Sequence, residues 1–168
     1  MTDPAVPSIR RASRVFLQVV VVLVALGAAA LMLWEPHVEG RNAHATTFQI
    51  YFNDPFLAYA YVASIALFVA LYQAFRLLGY AGQGRMFTPV AVRALRIIRY
   101  CALALIVFIG AEEVYAFVVV RGRDDIAGGV ALGLVMMFLC VVAAAAAAVF
   151  ERVLQTAVDM KSENDLTV

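Results

Sequence analysis

Apolar and polar positions divide this chain into four long apolar runs, at residues 15–34, 56–78, 97–120 and 128–150, separated by short segments that hold most of the charge. Each run is long enough to cross a bilayer. A hydrocarbon core of ~30 Å needs about 20 apolar residues in helical form, because only a helix or a closed barrel satisfies its own backbone polar groups in lipid. The pattern predicts an all-α integral membrane protein, an antiparallel bundle of four transmembrane helices. It divides the chain into a tail at residues 1–14, a membrane domain at 15–160 and a C-terminal tail at 161–168.

Composition agrees: hydrophobic residues make up 64% of the 168 positions and charged residues 15%, against roughly a quarter charged in soluble domains. No connection is long enough for a separate soluble domain. The basic residues set the expected orientation. Arg10, Arg11, Arg14, Arg76, Arg85, Arg93, Arg96, Arg99, Arg152 and Lys161, ten of the thirteen, fall on one side of the four spans, and Arg41, Arg121 and Arg123 on the other. The positive-inside rule then gives an N-in, C-in topology, with residues 1–14 and 161–168 as cytoplasmic tails.

The first run follows three arginines and contains Gly27, Ala28, Ala29 and Ala30, which raises a cleaved signal peptide as the alternative. Its continuation through Leu31 to Trp34 makes it longer than a signal core, and Trp34 then sits at the interface. Residues 1–13 read as a disordered or interfacial tail. The outer connection EPHVEGRNAHATTFQIYFNDP reads as an extended or short helical cap at 46–52, with Asn53 and Asp54 before Pro55 as an N-cap and first-turn pair. Thr88 and Pro89 repeat that pair, so the third helix is expected to start before the lipid.

Arg93, Arg96 and Arg99 form a basic flank on its first turns, suited to interfacial anchoring or to contact with anionic lipid or an acidic partner segment. In the fourth run Gly129 and Gly133 make a small-xxx-small pair and residues 143–148 are six alanines, read as packing within the chain or as a homodimer face. The fourth helix is expected to continue to about Met160, with Phe150, Val153, Leu154, Ala157 and Val158 along one side. Cys101 and Cys140 fall at depths of about 6 and 15 Å from the same face, too far apart to bridge. Gln18 and Gln73 lie at similar depth and are expected to bond to each other.

Chemistry centres on Glu112 and Glu113, about 23 Å into the third span, because ionisable groups within a span line a cavity, pair, or sit protonated. Adjacent helical positions point about 100° apart, so one carboxyl is expected to face Tyr61 and Ser64, and the two do not share a site. The functional version is a proton or cation site or a ligand anchor; the structural version is a polar clasp. Glu35, His37, Glu39 and His44 are weak metal candidates, without a diagnostic ligand spacing. No nucleophile elbow, phosphate loop, dinucleotide fingerprint or Cys/His constellation occurs, so neither a catalytic residue nor a cofactor is expected. The basic flank is too short and too near lipid for direct nucleic-acid binding.

The segments ALYQAFRLLGY, FTPVAVRALRIIRYC and KSENDLTV together resemble the bacterial membrane family catalogued as domain of unknown function 2975, across essentially the whole chain. The resemblance implies four transmembrane helices in a bacterial cytoplasmic membrane. It also implies a regulatory or stress role, since members are often encoded beside a small helix-turn-helix regulator, and it brings no catalytic residues. The leading expectation is a non-enzymatic sensor or regulatory partner in contact with the lipid bilayer and a cytoplasmic regulatory protein. The alternatives are a small transporter or proton-coupled carrier using the acidic pair, and a structural or assembly factor of a membrane complex.

Overall fold

The computed structural model describes residues 5–38, 46–52, 55–83, 85–120 and 127–166. Helix α1 spans Ala5–Val38, a short α2 spans Thr47–Phe52, and α3 spans Pro55–Gly82. Helix α4 spans Pro89–Tyr115 and runs on as a π-helical stretch over Ala116–Val120; α5 spans Ala127–Leu166. Four of these, all but α2, are long and apolar enough to cross a membrane. Leu31 and Val107, 70% and 71% exposed, typify a surface that is apolar nearly all round, and a hydrocarbon solvent is what makes such a surface stable.

Local chemistry sets the ends. Thr46 and Gln49 form a capping box: the Gln49 side-chain oxygen accepts from the Thr46 N–H at 2.9 Å, and the Thr46 hydroxyl accepts from the Gln49 N–H at 3.4 Å. That reciprocal pair turns a segment of strand-like composition into the helical alternative expected for 46–52. Pro89 occupies the first turn of α4, where no intrahelical partner for an N–H is lost. Thr88 caps differently from expectation. Its carbonyl accepts from Ala91 and Val92, while its hydroxyl turns back to donate to the Arg85 carbonyl at 2.7 Å.

The tail expected at residues 1–14 is helical from Ala5. Pro7 falls within the first turn, the part of a helix that tolerates proline, so nothing local stops α1 from extending beyond the apolar run. Residues 53–54 and 121–126, which carry the expected α3 cap and the connection to α5, lie outside the described residues.

Contacts run through the helices in chain order: α1 on α3, α3 on α4, and α4 on α5. Helices α4 and α5 are antiparallel, since Arg96 meets Glu151 near one end while Gly110 meets Met137 and Glu113 meets Gly133 toward the other. Among the shielded positions of α5, Val130, Gly133, Met137, Cys140, Ala144, Ala147, Glu151, Leu154 and Val158 alternate steps of three and four, with Ala148 and Ala157 beside them. That spacing is the 3.5-residue seam of a left-handed coiled coil. On α1 the same spacing picks out Arg14, Gln18, Val21, Ala25, Ala28 and Met32. Small side chains in the α4–α5 seam, Ala102, Ala144 and Ala147 among them, let the backbones come close, the main route to helix association in lipid.

Among the described residues a buried apolar cluster lies where α4 starts, here called the basic end: Ala91, Val92, Leu95 and Leu154, with Leu77, Tyr80, Met86 and Val158 packed around them. Leu154 and Val158 therefore belong to the core of this end. Phe150 and Val153, expected on the same side, face outward at the other flank of α5, because the seam steps from Ala147 to Glu151 and Leu154. Helix α5 also continues beyond Met160 to Leu166.

Candidate functional site

The acidic pair sits at the last turn of α4. The Ala116 N–H is shared between the carbonyls of Glu112 and Glu113, and the backbone widens there into the π-helical stretch. The 100° between neighbouring side chains turns the two carboxyls of α4 toward different neighbouring helices. Glu113 turns to α5, where Gly133 has no side chain: a Cβ built there would collide with the Glu113 carboxyl. Its Oε1 is buried without a hydrogen-bond partner.

Glu112 turns the other way, into a groove between α3 and α4 of about 360 Å³ lined by Phe56, Tyr59, Ala111, Glu112 and Tyr115. Tyr59 is held in place from both ends of its ring. Its hydroxyl donates to the Phe108 carbonyl at 2.6 Å, and its ring meets that of Phe108 edge-on at 5.3 Å between centroids. Phe56 and Tyr115 are exposed, so the groove is open along its mouth.

The expected partners of the acidic pair are elsewhere. The Tyr61 hydroxyl donates to the Met32 carbonyl of α1 at 3.1 Å, and Ser64 donates to the Tyr61 carbonyl at 2.7 Å. Tyr61 thus faces α1, and Ser64 bonds back within α3. Tyr59, two positions from Tyr61, is the tyrosine beside Glu112. Gln18 likewise bypasses Gln73 and donates to the Phe75 carbonyl at 3.4 Å. Arg14, one turn before it, lies over Gly82, where a Cβ would strike its side chain. His37 falls in the last turn of α1 and His44 lies outside the described residues; among the described residues no three metal-ligating side chains come together.

At the basic end the sequence reading missed a residue. Glu151 of α5, with its side chain only 8% exposed, receives Arg96 Nε on Oε1 at 2.7 Å, and Arg99 Nη1 stands 2.9 Å from Oε2. The Arg96 contact is a well-formed hydrogen bond. The Arg99 contact is close but poorly aligned, so Oε2 counts as an ion-pair partner without a hydrogen bond. The basic flank was expected to meet anionic lipid or an acidic partner segment; two of its three arginines instead pair with Glu151 of the chain itself. Arg93 faces outward. The available signal was register: Glu151 continues the seam of Ala144 and Ala147 and precedes Leu154 by three.

Residues 40–168, which include both the Glu112 groove and the Glu151 clamp, match a family described as protein of unknown function (DUF2975). The chain belongs to this family. A similar chain is the uncharacterized membrane protein YoaS of Bacillus subtilis (strain 168), 38% identical over 159 residues, covering 94% of this chain and 99% of that protein. The likeness takes in α1 as well as the part that the DUF2975 match covers. No solved structure matches the chain significantly. The relative's description as a membrane protein fits the four spanning helices of this chain, while the family description carries no activity.

Proposed function

We propose that this chain is a non-enzymatic regulatory protein of the bacterial cytoplasmic membrane, with both termini inside, that passes a change in its bundle to a protein partner at its basic end. The observation that carries the reading is the Glu151 clamp. Helix α5 leaves the apolar bundle without a break and continues to Leu166, while Arg96, Arg99 and the Leu154 cluster fix that extension to the start of α4. A displacement of α4 against α5 within the membrane is thereby carried to residues 155–166 outside it. The polar side chains support a non-enzymatic role, since Tyr51, Tyr59 and Tyr61 each donate to a backbone carbonyl of another helix and so hold helices together.

The test is affinity purification from mildly solubilised membranes, comparing the full chain with one truncated after Glu151. A stoichiometric partner lost on truncation supports the reading; identical recoveries from both chains remove its basis. A transporter is the second reading, favoured by Glu112 lining a groove. It predicts proton or solute flux in proteoliposomes that drops in Glu112→Gln or Glu113→Gln, and unchanged flux in both variants would end it.

A further inference from the structure

The groove between α3 and α4 combines three features that single out one ligand class. Its volume, about 360 Å³, is at the lower end of the range that takes a small organic molecule. Its walls are three aromatic rings, Phe56, Tyr59 and Tyr115, whose faces carry partial negative charge and attract cations. Its one carboxylic acid is Glu112, and none of the lining residues is basic.

A carboxylate in such a wall repels anions and leaves neutral ligands without recompense for its own desolvation, whereas a cation neutralises it. The acid is not needed to close the helices. Glu113, the adjacent acid, does the packing against Gly133, and Tyr59 has its own hydrogen bond to the Phe108 carbonyl. Glu112 is therefore left to face the groove at the α-to-π transition, an irregularity that recurs at functional sites in helices.

We infer that this groove is a binding site for a monovalent lipophilic organic cation, held by the Glu112 carboxylate and by the faces of Tyr59, Tyr115 and Phe56. The assignment goes beyond the regulatory reading and stands independently of it: binding here requires no partner at the basic end.

The probes are tetraphenylphosphonium and tetraphenylborate, nearly identical in shape and opposite in charge. Their binding is measured by equilibrium dialysis against the full chain in zwitterionic nanodiscs, with empty nanodiscs subtracted. Saturable binding of the cation and not of the anion is expected. Glu112→Gln weakens the cation by about tenfold or more, and Glu113→Gln changes it by less than about threefold. Tyr115→Leu, at an exposed ring that packing does not depend on, weakens it as well and decides the matter if Glu112→Gln fails to fold. Equal binding of cation and anion, or cation binding unaffected by Glu112→Gln and Tyr115→Leu, overturns the proposal and marks the groove as a seat for lipid chains. Loss of a basic-end partner on truncation at Glu151 bears on none of these outcomes, so the two proposals fail separately.

Discussion

The carboxyl of Glu113 occupies the space that a side chain at Gly133 would take. Gly133→Ala therefore overpacks the α4–α5 seam and lowers stability by about 1–3 kcal/mol. Gly129→Ala, one turn earlier and facing open space, stays within about 0.5 kcal/mol of the parent. Melting followed by size-exclusion fluorescence in detergent separates the two. Combining Gly133→Ala with Glu113→Ala recovers most of the loss, and a Gly133→Ala protein as stable as the parent would contradict the contact.

Leu154 joins α5 to Ala91, Val92 and Leu95. Leu154→Ala leaves a cavity at a cost of about 2–5 kcal/mol, and the loss falls on one end of the molecule. Hydrogen exchange accelerates at residues 155–166 and is unchanged at 130–147. Acceleration spread evenly along α5 would show that the extension is not docked locally.

Glu151 serves two arginines at once, so losing it costs more than losing either partner. Glu151→Gln is expected to destabilise by about 1–3 kcal/mol in denaturant titration, since two guanidinium groups lose their counter-charge. Arg96, 51% exposed, is the more solvent-screened partner and contributes the smaller share, while the less exposed Arg99, at 26%, contributes the larger. A double-mutant cycle with zero coupling for both pairs would remove the clamp from the account.

Tyr59→Phe keeps the ring and removes the hydroxyl that reaches the Phe108 carbonyl. The cost is about 0.5–1.5 kcal/mol, and cation binding in the groove is retained because the ring face remains. Tyr61→Phe is expected to lose a similar amount at the α1–α3 contact, with no effect on the groove.

Orientation is tested by labelling with a membrane-impermeant maleimide in intact spheroplasts, in a background where Cys101 and Cys140, both free thiols, are replaced by alanine. Thr46→Cys is labelled, and Ser13→Cys and Ser162→Cys only after permeabilisation. The reverse pattern would invert the topology.

The spans were legible because each is a continuous apolar run, and hydropathy needs no partner to be read. The opposed directions of Glu112 and Glu113 followed from helix geometry alone. Which neighbour each acid meets did not, since Tyr59 and Tyr61 lie on one helix, two residues apart, and only the packing order of α1, α3 and α4 tells which of them faces α4. Glu151 escaped for a related reason. Reading Phe150, Val153 and Leu154 as one apolar side places the charge on the rim, whereas the steps of four and three from Ala144 place it in the seam. In lipid, hydrophobicity does not mark the buried side, so small size and register are the signals that remain. At residues 46–52 strand-like composition competed with the Thr46–Gln49 box, and the box prevailed because it satisfies backbone donors on the spot.

Helix α5 is a single rod of 40 residues, ~60 Å from end to end, about twice the thickness of the hydrocarbon it crosses. The seam holds this rod against α4 from Val130 to Val158, and Glu151 is the charged position within it. In the proposed regulatory role, the stretch past the last seam position, residues 159–166, is what a partner meets, and it takes its direction from the seam.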